Sequence, residues 1–169
     1  MVFSISWKVV FYMFSHVLLC THGTEGAKKA EALVFAKLQN APNLKVSVLT
    51  VLDEDWRDMT GDDWLNSSKT HTTFLDHVEN QMNEEIAEEW QRIKTSYPLA
   101  ERANFLQSTG NIAKTITRTA KKLGCDLIVI GPWCKPKKFS IHSTRLGLRD
   151  TMKNKNLHPL LPCPLLIAS

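Results

Sequence analysis

Asp126-Leu127-Ile128-Val129-Ile130-Gly131 is a short apolar run with no polar alternation, closed by a glycine. A segment of that length that needs cover on both faces reads as a strand inside a parallel sheet with helices on either side. Immediately before it, Ile112, Ile116, Ala120 and Leu123 repeat at helical spacing, and Gly124 is the expected left-handed residue beyond that helix. Further back, Ala103 to Gln107 reads as a short strand, with Thr109-Gly110-Asn111 turning into the helix.

The same alternation continues outward. Val17 to Thr21 reads as a buried strand, followed by a Gly/Thr turn and by Ala27, Ala30, Leu33, Val34, Lys37 and Leu38 at helical spacing. Asn40-Ala41-Pro42 stops that helix, and Leu44 to Leu52 supplies a strand marked by Val46, Val48 and Val51. Pro164 to Ala168 reads as a final strand after a basic segment. Strands alternating with helices predict an α/β domain with a five-stranded parallel sheet covered on both faces. Right-handed crossovers and the order 3-2-1-4-5 set the first and fourth strands side by side, where the order reverses and small ligands bind. Two loops then meet at that edge, Thr21-His22-Gly23-Thr24 and Gly131-Pro132-Trp133-Cys134-Lys135.

Between the second and third strands, Asp53 to His71 has acidic, Gly and Ser residues without steady periodicity and reads as a loop with short helical turns. A helix is expected from about Thr73, with Asp76 completing a capping box. Leu75, Val78, Met82, Ile86, Trp90 and Ile93 form its inward stripe, while Glu84, Glu85, Glu88 and Glu89 point away.

At 169 residues and 43% hydrophobic, the chain can bury one sizeable core. The net charge of +4 is unevenly spread: acids dominate from Asp53 to Glu89, and Lys135, Lys137, Lys138, Arg145, Arg149, Lys153 and Lys155 face only Asp150. That basic stretch admits two readings, a phosphate-receiving loop or a solvated face. The cysteines Cys20, Cys125, Cys134 and Cys163 show no metal-ligand spacing, and Cys20 and Cys163 lie in or beside apolar runs, which fits a reducing cytoplasm. Residues 1–13 look like an accessory or misassigned segment before a domain spanning 14–169. Their apolar run continues straight into the first strand without the small-residue site of a signal peptide, and no run reaches the length of a membrane span.

Backbone amides of the glycine turn at Gly23 and Gly26 suit phosphate oxygens, with Thr24 adding a hydroxyl, although the chain has neither nucleotide-binding glycine fingerprint. A plain turn is the competing reading. His22 stands at the sheet mouth, placed to touch a ribose hydroxyl or phosphate or to cap the strand end, and no nucleophile or carboxylate forms a triad with it. Trp133 suits base stacking or, between Pro132 and Pro136, a rigid packed turn. His71, His77, His142 and His158 show no metal-binding spacing.

Four segments carry a family resemblance: His16-Val17-Leu18-Leu19-Cys20-Thr21-His22-Gly23-Thr24, Gly110-Asn111-Ile112-Ala113, Cys125 through Gly131, and Leu161-Pro162-Cys163-Pro164-Leu165-Leu166-Ile167. In these the chain resembles the universal stress protein family over about residues 14 to 169. The resemblance implies a Rossmann-like, adenine nucleotide alpha hydrolase-like fold of order 3-2-1-4-5, and homodimers that pair through the last strand, here 164–168. It also implies a branch that binds ATP and a branch that does not.

In the ATP-binding branch an acid follows the first strand, where this chain has His22. A run of Gly, two residues, Gly, nine residues, Gly and Ser or Thr follows the fourth strand. Here Gly131 fits the first place, Cys134 the second, and Thr144 and Arg145 the third and fourth. Side chains at Cys134 and Thr144 narrow the approach of phosphate to backbone amides, and His22 removes a partner for ribose hydroxyls. Lys135, Lys137, Lys138 and Arg145 either compensate or select a different anion. A bound ATP or other adenine nucleotide is expected to touch Thr21, His22, Gly23, Val51, Ile130, Gly131, Cys134, Lys135, Thr144 and Arg145.

Three functions follow. The leading one is a stress-response regulatory domain, a homodimer acting through a protein partner or a weakly held nucleotide, with no general acid/base pair for turnover. The second is an ATP-binding switch with at most slow hydrolysis. The third is nucleic-acid binding through residues 135–155, disfavoured because only Trp133 and Phe139 offer aromatic platforms there.

Overall fold

The computed structural model describes residues 14–37, 43–53, 68–132 and 160–168. The elements run in the order β1 (His16–Cys20), α1 (Glu25–Lys37), β2 (Lys45–Leu52), α2 (Ser68–Ser96), a 3-10 turn (Pro98–Arg102), β3 (Asn104–Thr109), α3 (Ile112–Leu123), β4 (Leu127–Ile130) and β5 (Leu165–Ile167). All strand pairings are parallel and the order is β3-β2-β1-β4-β5, as the sequence predicts.

β1 and β4 lie in the middle of the sheet, and all four residues of β4 are buried. Successive β1 side chains serve opposite layers. Val17 and Leu19 join Val48, Val129, Ala30 and Val34 of α1 and Ile93 of α2 on one face. Leu18 and Cys20 join Leu49, Ile128, Ile130 and the α3 residues Ile116 and Ala120 on the other. α1 and α2 thus cover one face and α3 the other, as right-handed crossovers from this strand order require.

The amino ends of the two central strands are tied by Asp126. Its carboxylate accepts from Ser15 N–H and Oγ–H, both at 2.7 Å, and from His16 N–H at 3.0 Å. Burial would raise its pKa, but these bonds to the charged form outweigh that and hold it below the usual value.

The expected element bounds shift by a residue or two. Thr21 lies just past β1, yet its N–H still donates to the Leu49 carbonyl. The third strand is displaced from 103–107 to Asn104–Thr109, because the Ala103 N–H closes the 3-10 turn on Ala100. β3 sits at the sheet edge, where polar Gln107 and Thr109 face solvent and need not end the pairing. The last strand is Leu165–Ile167, with ladder bonds carried outward through the Pro164 carbonyl and the Ala168 N–H. α3 has the expected bounds: Asn111 caps it by accepting from the Lys114 N–H, and Gly124 adopts φ +65° beyond its end.

The largest departure is α2. It begins at Ser68, so Thr73 and Asp76 lie inside the helix, not in a capping box, and the expected 53–71 loop is shorter by its last residues. The remainder of that loop, 54–67, lies outside the described residues. At 29 residues α2 is about 43 Å long, against about 26 Å for the eight residues of β2. Its first half reaches past the sheet's carboxyl edge, where Leu75, Val78, Met82 and Ile86 close on Leu52 at the end of β2. Nearer the other end, Trp90 stacks on Phe105 with ring centroids 4.7 Å apart, so the expected inward stripe is core.

Candidate functional site

The crevice lies at the carboxyl ends of β1 and β4, where α1 leaves toward β2 and the chain after β4 leaves toward β5. Gly23 has φ +76°, the left-handed conformation that lets the chain turn sharply from β1 into α1. His22 and Thr24 are exposed on this turn and Gly23 is half-buried. Across the crevice, Gly131 is buried against the first turn of α1. A Cβ on it would overlap the carbonyl group of Gly26 and lie 2.6 Å from the Ala27 nitrogen. The β4 exit and the α1 start are therefore in backbone contact. Gly131 is needed for that packing, so Gly131→Ala is not a clean probe of binding.

Two expected contacts are spent internally. The Thr21 side chain is buried and donates from Oγ1 to Glu31 Oε1 at 2.6 Å, so its hydroxyl points under the turn. The Thr24 hydroxyl, expected to reach phosphate, accepts instead from the Ala27 N–H at 3.2 Å, and its carbonyl accepts from the Lys28 N–H. These bonds cap α1 from within the chain. Val51 is half-buried and Ile130 fully buried in the α3-side core, at the carboxyl ends of β2 and β4. Cys134, Lys135, Thr144 and Arg145 lie outside the described residues, as do Trp133 and the basic stretch 135–155.

Beneath the turn runs a charged network that the sequence reading misses. Glu31 of α1 has no exposed surface. Its Oε2 accepts from Arg92 Nη2 at 2.5 Å. The same guanidinium donates from Nε and Nη2 to Glu89 Oε1 at 2.8 and 2.5 Å. Glu89 raises the Arg92 pKa further, against the opposing effect of burial, so this group stays cationic. Glu89 is thus not an outward acid like Glu84, Glu85 and Glu88, which are exposed; its side chain packs on Gly23. The signal was a charge at an inward position: Glu31 stands four residues after Ala27 and three before Val34, both buried.

The thiols of Cys20 and Cys125 are quiet. Burial, then the neighbouring Cys125 and Cys163, push Cys20 far above the ordinary thiol range. Cys125 is pushed up to about 11, first by burial and then by Cys163 and Asp126. Among the described residues no group of His, Cys, Asp and Glu side chains is placed to hold a metal ion. Their helices also include none long and apolar enough to cross a membrane.

A cavity of about 480 Å³ opens at the opposite, amino edge of the sheet, lined by His16, Phe35, Lys45, Ser47, Arg102 and others. His16 there donates from Nδ1 to the Leu123 carbonyl, which fixes its tautomer, and its Nε2 meets Ser47 Oγ at 2.9 Å. Size alone does not locate a ligand, and the switch point lies at the other end of the strands.

The universal stress protein family model matches residues 13–132, and the chain belongs to that family. Among solved structures, hypothetical protein MJ0577 matches with a TM-score of 0.67 at 19% identity, over 92% of this chain and 96% of that one. UspA from Lactobacillus plantarum matches at 0.55 and 15%, over 92% and 97%. A universal stress protein in complex with cAMP matches at 0.55 and 10%, over 92% and 97%. Identities this low establish the shared fold. No curated protein matches the chain.

Proposed function

We propose that the chain is a regulatory, stress-response domain that holds an adenine nucleotide in the crevice between the β1–α1 turn and the β4 exit. The observation that carries this reading is the contact of Gly131 with the first turn of α1 at the strand-order reversal. In this reading Thr21, His22 and Gly23 stand on one side of the ligand and Ile130 and Gly131 on the other, with Val51 at its floor. The structural relative in complex with cAMP supports an adenine ligand. Beyond Gly131, we assign Cys134, Lys135, Thr144 and Arg145 to the phosphate side of the ligand, on the family pattern.

The work is binding, with no turnover assigned. The Thr21 side chain is buried under the turn and Arg92 is shared by two carboxylates, so neither is assigned as nucleophile or proton donor. The domain runs from residue 14 onward, with 1–13 an accessory segment. It acts as a homodimer through residues 164–168. Among the described residues β5 pairs only with β4, and its other edge offers unpaired backbone groups to a second copy. Three cysteines kept as free thiols, Cys20, Cys125 and Cys163, suit the cytoplasm.

The test is calorimetric titration of nucleotide-stripped protein with ATP, ADP, AMP and cAMP, beside mass spectrometry of whatever co-purifies. Saturable binding at one site per chain is expected. Absence of heat from all four, with no co-purified nucleotide, would overturn the reading.

A further inference from the structure

We propose that Glu89 is a specificity-determining residue that turns phosphate away from the β1–α1 turn and reserves it for a hydroxyl-bearing, uncharged group such as a ribose diol. Phosphates are then directed toward the β4 exit, and Glu89 lowers the affinity for ATP relative to adenosine. This inference rests on the nucleotide-binding reading above and assigns the polarity of that same site.

The geometry sets a negative charge against the turn. A Cβ on Gly23 would lie 3.1 Å from Glu89 Cδ and 3.2 Å from its Oε1, so the carboxylate is packed directly on the turn. Its cation is shared, because Arg92 faces both Glu89 and the fully buried Glu31. Two carboxylates on one guanidinium leave the network negative. Lys28, on the first turns of α1, is itself paired with Glu25 at 3.0 Å. Of the amides at this helix start, that of Ala27 is taken by the Thr24 hydroxyl. A carboxylate accepts hydrogen bonds and donates none, which suits hydroxyls and repels a polyphosphate.

Within α2 this charge is held in place by two hydrogen bonds, from Arg92 Nε and Nη2, that converge on Glu89 Oε1. Substitution at Glu89 therefore changes the charge at Gly23 without removing the buried Arg92–Glu31 pair.

The test compares adenosine and ATP affinities by calorimetry at pH 8 for wild type, Glu89→Gln and Glu84→Gln. Glu84 is exposed on the same helix and controls for net charge. Glu89→Gln is expected to shift the ATP-to-adenosine affinity ratio toward ATP by about fivefold, the order that a unit charge close to a phosphate contributes in water, with Glu84→Gln unchanged. An unmoved ratio in Glu89→Gln, or an equal shift in Glu84→Gln, would overturn this inference alone. Wild type that binds neither adenosine nor ATP would overturn the nucleotide reading and this inference with it.

Discussion

Replacing Arg92 by leucine strands Glu31. That carboxylate has no exposed surface, and its two described partners are the Thr21 hydroxyl at 2.6 Å and the Arg92 guanidinium at 2.5 Å. Removing one member of a buried ion pair costs about 3–5 kcal/mol. The Arg92 side chain is 31% exposed, so water already screens part of the interaction, and about 2–4 kcal/mol is expected for Arg92→Leu. In a domain of this size that lowers Tm by roughly 6–12 °C. Glu31→Leu is the informative counterpart. It removes the buried charge, leaves Arg92 on Glu89, and strands only the Thr21 hydroxyl, for about 1–2 kcal/mol. Urea unfolding of the two single variants and the double variant measures the asymmetry. The double variant should be no less stable than Arg92→Leu. Equal costs for the single variants with an additive double variant would refute the argument that a stranded carboxylate sets the penalty.

Other outcomes follow from the same contacts. Gly131→Ala should destabilise by about 1–3 kcal/mol or more in urea unfolding, because its Cβ meets the α1 backbone and not a flexible side chain; wild-type stability would contradict that packing. Asp126→Ala should cost about 1 kcal/mol at neutral pH after solvent screening. Since its folded pKa is lowered, that contribution is full above the unfolded value near 4 and is lost as pH falls through the folded value. The gap between variant and wild type should therefore close in acid, which pH-resolved thermal melts would show. Cys20 and Cys125, with thiol pKa values raised chiefly by burial, should resist iodoacetamide at pH 8 until urea unfolds the chain; peptide-resolved labelling of the native protein would contradict their burial.

The sheet was legible because apolar runs such as 127–130 occur where both faces of a strand are covered, and Gly124 and Asn111 mark helix ends by local chemistry alone. The early start of α2 was hidden by Ser68 to Thr73, whose polar residues carry no apolar stripe where the helix runs beyond the sheet edge. At the site, the loops and their place at the switch point were readable from strand order. The Glu31–Arg92 pair was not, because it depends on the packing of α1 against α2, which are far apart in sequence; the bonds of Thr21 and Thr24 are local, ten and three residues from their partners, but a loop hydroxyl carries no sign in the sequence of whether it turns to the chain or to a ligand. Polar residues near a loop look like ligand contacts until their partners within the chain are known.

The central claim is that the ligand sits at the carboxyl edge between β1 and β4. Titration of isotope-labelled, nucleotide-stripped protein with AMP, followed by amide chemical shifts, tests it most directly. The account predicts saturable shifts at residues 21–27 and 130–132 with little change at His16, Lys45 and Asn104 around the amino-edge cavity. Shifts confined to that opposite edge, or none at saturating AMP, would contradict it.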